Sequence, residues 1–226
     1  MNDVPHLESQ RGSQPDAAHN EDPAHPDHLV TFYESSSFLA RSARRFLLAG
    51  LDRGETIIVV ATPAHRDAFA AALEEAGHDL ARSRREGRYL ERDAAATLAE
   101  LVVDGRLCRA RFDRVISRFV AEVAATSGGL RVFGEMVALL WEAGDLNLAL
   151  ELEDHWNTLI EQVPLPLLCA YPLSGFDSRE TTARFHDVCG RHSRVTTDSY
   201  ATLDDTGIAM DGVVLLGARE PGGLQG

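Results

Sequence analysis

Residues Thr56–Ala61, TIIVVA, form a continuous apolar run in which every residue but the last is β-branched. A strand built from such a run has no polar face to offer water, so both of its sides must be covered. That requirement calls for helices above and below a largely parallel sheet, and the flanking sequence supplies them. His28–Tyr33 is a short β-prone run. Ser35-Ser36-Ser37 then offers an N-cap, Phe38, Leu39, Phe46, Leu47 and Leu51 follow at helical spacing, and Gly54 closes the helix. After the TIIVVA run, Thr62-Pro63 pairs a cap with a first-turn proline, and a helix runs towards Gly77.

The same alternation continues to the end. Arg88–Glu91 reads as a short strand and Asp93–Val102 as a helix. Phe112, Val115, Ile116, Phe119, Val120 and Val123 make an amphipathic stripe that ends at Gly128-Gly129. Leu130–Phe133 is a second buried strand. Leu148, Leu152, Trp156, Leu159, Ile160 and Val163 stripe a long helix, and Leu167–Tyr171 is a further strand. Asp177-Ser-Arg-Glu180 resembles a capping box opening a helix that stops near Gly190. Val195–Leu203 adds a strand, and Val213–Leu216 adds another at the sheet edge. Alternating strands and helices give an α/β class with a mainly parallel central sheet and helices on both faces. No repeat is visible, and no Pro/Gly-rich linker breaks the pattern, so residues 28–219 read as one domain. Residues 1–27 are rich in Pro, Asp, Glu, Ser, Gln and His and read as a disordered acidic tail. Residues 220–226 read as a loose end.

Charge narrows the function classes. Of 226 residues, 35 are acidic and 22 basic, a formal net charge of -13, and every basic residue is Arg. An acidic chain repels phosphate backbones, which argues against nucleic-acid binding. The densest basic stretch, Arg82, Arg84, Arg85, Arg88 and Arg92, reads as a solvated turn and helix end rather than a docking patch. Three cysteines, Cys108, Cys169 and Cys189, with no CxxC pattern suit a reducing compartment, and a cytoplasmic location is expected. Neither a signal peptide nor an apolar run of about 18 residues is visible, so no membrane role is expected.

Ligands of open α/β sheets bind outside the carboxyl ends of the strands. That rule selects Tyr33, Glu34 and Ser35 after the first strand, Thr62 after the second, Glu135 and Met136 after the Leu130–Phe133 strand, and Tyr171 after the Leu167–Tyr171 strand. Glu34 and Glu135 would face one crevice, where a carboxylate pair does acid–base work or binds a cation. The competing structural reading is that each caps a helix N-terminus, where the dipole favours negative charge. A phosphate-binding loop needs glycines and a Lys, and the chain has neither GxxxxGK[ST] nor any Lys. GxGxxG and GxSxG are also absent, so dinucleotide and hydrolase-elbow readings lack their signatures. No catalytic residue and no cofactor is assigned.

Histidines receive a separate reading. His6, His19 and His25 are spaced irregularly among prolines, which disfavours a metal site. His186, Cys189 and His192 spread over about 120° of a helix, so they close on a metal only if the helix breaks at Gly190; His155 would be a fourth group with nothing to place it. The structural reading is a helix C-terminus, where His is favourable, and no metal site is assigned. Trp141 and Trp156 read as core residues.

Four short blocks carry a family resemblance. His28-Leu-Val-Thr-Phe-Tyr-Glu34, Ala49-Gly-Leu-Asp-Arg-Gly-Glu55, Leu130-Arg-Val-Phe-Gly-Glu-Met136 and Cys169-Ala-Tyr171 resemble, in order, blocks of the MEDS family, and His192 falls where that family often carries a late histidine. The family is named for methanogens, methylotrophs and the sensory domain of a dichloromethane-responsive regulator. The resemblance implies a RecA/KaiC-like fold without a working P-loop and a role in sensing small, hydrocarbon-derived ligands. It makes Glu34, Glu135 and Tyr171 first-choice ligand contacts. Family members often sit beside kinase, anti-sigma or DNA-binding domains. No such output domain is visible here, so the expected partners are an unidentified small molecule and a separate signalling protein. Self-association stays open, since related ATPase folds assemble. The expectation is a non-catalytic ligand sensor; the alternatives are an interaction module with a vestigial nucleotide crevice, or a residual nucleotide- or metal-dependent enzyme using Glu34 and Glu135.

Overall fold

A computed structural model of the chain describes residues 27–173, 179–197 and 213–215. In chain order the elements are β1 (His28–Tyr33), α1 (Ser36–Asp52), β2 (Thr56–Ala61), α2 (Pro63–Glu75), α3 (Leu80–Arg85), β3 (Tyr89–Asp93) and α4 (Ala94–Leu101). Then come β4 (Val102–Val103), β5 (Arg106–Leu107), α5 (Arg109–Phe112), a π-helical turn (Asp113–Ser117) and α6 (Arg118–Thr126). The last group is β6 (Leu130–Gly134), α7 (Met136–Glu142), α8 (Leu146–Gln162), β7 (Leu167–Pro172), α9 (Arg179–Cys189), β8 (Arg194–Thr197) and β9 (Val213–Leu215).

Seven strands form one sheet in the order β3-β2-β6-β7-β1-β8-β9. All neighbours are parallel except β9, which runs antiparallel to β8 and forms an edge. The buried strand pattern explains the apolar runs. Ile57, Val59 and Ala61 face a core shared with Leu39 and Leu47 of α1, Phe69 and Leu73 of α2, and Leu80 of α3. Ile58 and Val60 face the opposite core, shared with α4, α6, α7, α8 and α9. The doubly wound arrangement expected from the alternation is therefore the observed fold.

Local signals hold in detail. Ser35 caps α1 by accepting the Phe38 N–H at 3.3 Å. The basic stretch forms α3 and the start of β3, and its arginines pair with acids: Arg82 and Arg88 with Glu86, and Arg84 with Glu91. The Phe112–Val123 stripe is continuous but passes through the π-helical turn, with Phe112, Ile116 and Val120 fully in the core. Asp27, placed by composition in the tail, instead belongs to the fold: its carbonyl accepts the Leu167 N–H and its carboxylate pairs with Arg194 at 2.8 Å. The capping box at Asp177 and the strand beyond Thr197 lie outside the described residues, as do the rest of the tail and residues 220–226.

Three elements escape the sequence reading: α3, α7 and the small β4–β5 hairpin. The hairpin turns at Asp104-Gly105, both with positive φ, 49° and 71°. Two positive-φ residues between short apolar runs are the requirement of a tight hairpin turn.

One buried ion pair ties the α1–β2 connection to β6. Arg131, nearly buried, donates to Glu55 Oε2 at 2.8 Å and to the Phe46 carbonyl at 3.2 Å, with its guanidinium 4.7 Å from the Phe46 ring centre. Gly50 makes room: a Cβ there would lie 2.7 Å from Ile57 Cδ1 and 2.9 Å from Arg131 Nε. Removing one member leaves the other buried and unpaired. Glu55→Ala should therefore lower the unfolding free energy by on the order of 3 kcal/mol, seen as a lower urea midpoint at unchanged slope.

Candidate functional site

Adjacent strands β2 and β6 lead into helices on opposite faces, α2 on one and α7 on the other. Their carboxyl ends thus meet at a topological switch point, the position where open α/β sheets bind ligands. Glu135, the first residue after β6, is held across it. Its N–H donates to the Val60 carbonyl at 2.9 Å. Its side chain, only 2% exposed, accepts the Thr62 N–H at 2.8 Å and the Thr62 hydroxyl at 3.3 Å. The third partner is Nδ1 of His65, in the first turn of α2. Glu135 therefore caps a helix, as the structural reading of this residue proposed, but the helix is α2 rather than its own α7, where it makes no side-chain cap.

The hydrogen bond that His65 donates to Glu135 raises the His65 pKa, against the lowering effect of partial burial. The contact therefore favours the protonated imidazole at His65. The His65 ring stacks on Phe69 at 5.9 Å and meets Tyr33 edge-on at 6.1 Å. Burial, and then the charges of Glu135 and Glu142, push the Tyr33 phenol up, so its hydroxyl stays protonated and able to donate.

Of the residues selected from sequence, Tyr33, Thr62 and Glu135 meet here. Glu34 and Ser35 are exposed at the mouth of α1, and Met136 turns into the core. Tyr171 faces the opposite core, where its hydroxyl donates to Glu153 at 2.8 Å. His65 went unselected, although it carried a signal. A histidine in a helix's first turn is unfavourable against the dipole unless a carboxylate answers it. A shallow hollow of about 280 Å³ opens elsewhere, lined by the exposed α7–α8 turn, Gly144 to Leu148, and Arg184 of α9.

A second polar centre lies under β1 and β7, on the α8 side. Glu153 of α8 is fully buried, and His28, Cys169 and His192 surround it. One donor atom from each of the four lies within 4.8 Å of the others. His28 Nε2 is 3.2 Å from Glu153 Oε2 and 3.4 Å from Cys169 Sγ. Cys169 Sγ is 3.4 Å from Glu153 Oε2. His192 Nε2 lies 3.4 Å from Glu153 Oε1 yet makes no hydrogen bond. His186 and Cys189, grouped with His192 by spacing, are outside the centre: His186 is exposed, and Cys189 is buried apart from these donors. His155 instead packs edge-on against Phe112.

Two demands conflict in this centre. Burial drives the His192 ring toward its neutral form, despite the opposing pull of Glu153. Burial would also raise the Glu153 carboxyl, which is held down only if the His192 and His28 rings carry positive charge. The neutral His192 ring is the better supported state, since its Nδ1 already donates to the Val188 carbonyl at 2.7 Å and its Nε2 finds no acceptor. Burial, reinforced by Glu153, pushes the Cys169 thiol and the Tyr171 phenol well up.

The sequence profile of the MEDS domain, described as MEthanogen/methylotroph, DcmR Sensory domain, matches residues 27–192. The chain belongs to the MEDS family. Its sensing role follows from that membership. Similar solved structures include an uncharacterized protein of Pyrococcus horikoshii crystallised with an unknown peptide, at 12% identity and a TM-score of 0.54, covering 84% of this chain and 82% of that one. A KaiC-like protein from hyperthermophilic Pyrococcus horikoshii OT3 has 15% identity and a TM-score of 0.50, covering 85% and 91%. At these identities the likeness establishes the RecA/KaiC-like fold alone. No curated protein matches. Among the described residues, no helix of this MEDS domain is long and apolar enough to cross a membrane.

The raised His65 pKa has a definite pH signature. A raised histidine contributes stability in full below its unfolded value, about 6.5, and loses that contribution as pH rises through the folded value. The stability gap between wild type and His65→Gln should be widest near about pH 5.5 and shrink by about pH 9. Urea midpoints across that range measure it, and a gap that does not vary with pH would contradict the ion pair.

Proposed function

We propose that this MEDS domain binds a small organic molecule at the β2–β6 crevice and passes its state to a separate regulatory partner, such as a kinase, an anti-sigma factor or a transcriptional regulator. The observation that carries this reading is the held Glu135 carboxylate: a buried charge at a switch point, with His65 and the Tyr33 hydroxyl beside it. Such convergent polar groups in a mostly apolar setting are what orient a small ligand. A ligand bearing a hydroxyl or carboxyl group would exchange its hydrogen bonds for those between Glu135, His65 and Thr62. Tyr33, Thr62, Glu135 and His65 are the inner contacts, with Glu34 and Ser35 at the mouth. Met136 and Tyr171 act from the core behind it.

The route to a partner starts at Glu135 itself. It is the residue from which α7 begins, and α7 packs on α8, so a change in its hydrogen bonding shifts a helix pair. The reading is non-catalytic. At the β1–α1 turn, where a phosphate loop would sit, Ser35 caps the helix, and the sequence supplies no Lys to reach a phosphate.

A thermal-shift screen of the full chain against short alcohols, aldehydes, halogenated alkanes and carboxylates should find at least one stabilising class. Glu135→Gln and Tyr33→Phe should each weaken its binding about 10–100-fold, the worth of a hydrogen bond to a charged group. A well-folded wild type that no compound stabilises would contradict the reading. So would ATP turnover with Mg²⁺ that disappears in Glu135→Gln.

A further inference from the structure

We propose that His28, Glu153, Cys169 and His192 form a binding site for one divalent transition-metal ion, with zinc favoured. The site is separate from the Glu135 crevice and does not depend on its reading.

Hydrogen bonding outside the cluster fixes both imidazoles for this task. His192 Nδ1 lies 2.7 Å from the Val188 carbonyl, which only accepts, so Nδ1 carries the proton. His28 Nδ1 lies 2.8 Å from Asn157 Oδ1, and the Asn157 amide is oriented by donating its own N–H to the Arg191 carbonyl at 3.3 Å. His28 Nδ1 is therefore also a donor. With Nδ1 the donor in both rings, each Nε2 is turned inward, toward the carboxylate and the thiol. An Nε2 lone pair facing a carboxylate across 3.2 or 3.4 Å repels it unless a proton or a metal ion lies between them. A metal-bound histidine characteristically donates its other N–H to a carbonyl or amide oxygen, which is the arrangement of both rings.

His192 supplies an independent indication. Its side chain is fully buried, and its Nε2 has no hydrogen-bond partner although it is aimed into the cluster. Buried nitrogen atoms in native proteins are nearly always satisfied, so an orphan points to a missing partner.

Distance and charge fit the same ion. Zinc bonds of about 2.0–2.3 Å in a tetrahedron place donor atoms about 3.3–3.8 Å apart. Contacts of 3.2 to 3.4 Å join four of the six residue pairs and every donor lies within 4.8 Å of the others, so the widest pairs must draw in by about 1 Å. Two imidazoles, a thiolate and a carboxylate form a nitrogen, sulfur and oxygen set that suits zinc and disfavours magnesium or calcium. Binding removes the Cys169 thiol proton to solvent. The charges then sum to zero: 2+ from the metal against one thiolate and one carboxylate. A neutral complex suits a site without water.

The test uses the reduced full chain titrated with Co²⁺ alone, then with Zn²⁺. The expected result is one equivalent of Co²⁺ bound, with a tetrahedral visible spectrum and a sulfur-to-cobalt charge-transfer band, both erased by Zn²⁺. Cys169→Ser should remove the charge-transfer band, while Cys108→Ser and Cys189→Ser keep it. Asn157→Ala, which leaves all four ligands in place, should weaken binding about 10–100-fold. Circular dichroism confirms that each variant is folded. A folded wild type that takes up no Co²⁺ and no Zn²⁺, or a cobalt spectrum that Cys169→Ser leaves unchanged, would overturn the site.

Discussion

Glu153 has no exposed surface, and a carboxylate removed from water costs several kcal/mol unless charge and hydrogen bonds surround it. Meeting that need fixes what the chain places at distant positions. β1 must begin with His28, β7 must carry Cys169 and Tyr171 on the α8 side, and the turn after α9 must deliver His192. Three segments are thereby registered on one side chain of α8. Ser193 adds to this, its N–H and hydroxyl both donating to the His28 carbonyl at 2.7 and 2.9 Å. The β7-β1-β8 part of the sheet is thus organised by polar contacts, whereas the β3-β2-β6 part is organised by aliphatic packing and the Glu55–Arg131 pair.

Much of the fold could be read from the sequence because its strands are covered on both sides. TIIVVA, LRVFG and LLCAYP are apolar for that reason, and the helices between them keep a polar face. α7 was missed for the opposite reason: Met136, Val137, Ala138, Leu140 and Trp141 are all buried, so the helix has no polar face and no amphipathic period. The sheet-end rule names Tyr33, Thr62 and Glu135, which the fold brings close together, since that rule depends on topology alone. It placed Tyr171 wrongly in relation to Glu135 because alternation along a strand decides the face, and Tyr171 falls on the α8 side. Glu153 left one trace. It interrupts the buried stripe of Ala149, Leu152, Trp156 and Leu159, where a solvated acid does not belong. Its two histidine partners lie 125 residues before and 39 after it in the chain (153 − 28 and 192 − 153), distances at which spacing carries no signal.

The blocks that resemble the MEDS family acquire a physical meaning once folded. Glu55 of the second pairs with Arg131 of the third, and Gly50 of the second leaves room for them. Glu135 of the third secures the start of α2. His28 of the first, Cys169 of the fourth and the late His192 surround Glu153. Each block is held by another, which accounts for their order and for residues that local propensity does not require. Tyr171 touches both halves, with its hydroxyl on Glu153 and its ring edge-on to Trp141 of α7 at 5.5 Å.

A sensory domain must hold what it senses, and the most direct measurement is native mass spectrometry of the untagged chain isolated from cells that make it. The expected result is a retained organic mass well below that of a nucleotide, released when the protein is unfolded in acid. A polypeptide that carries no organic molecule in any preparation, or one that carries ATP or ADP, would contradict it.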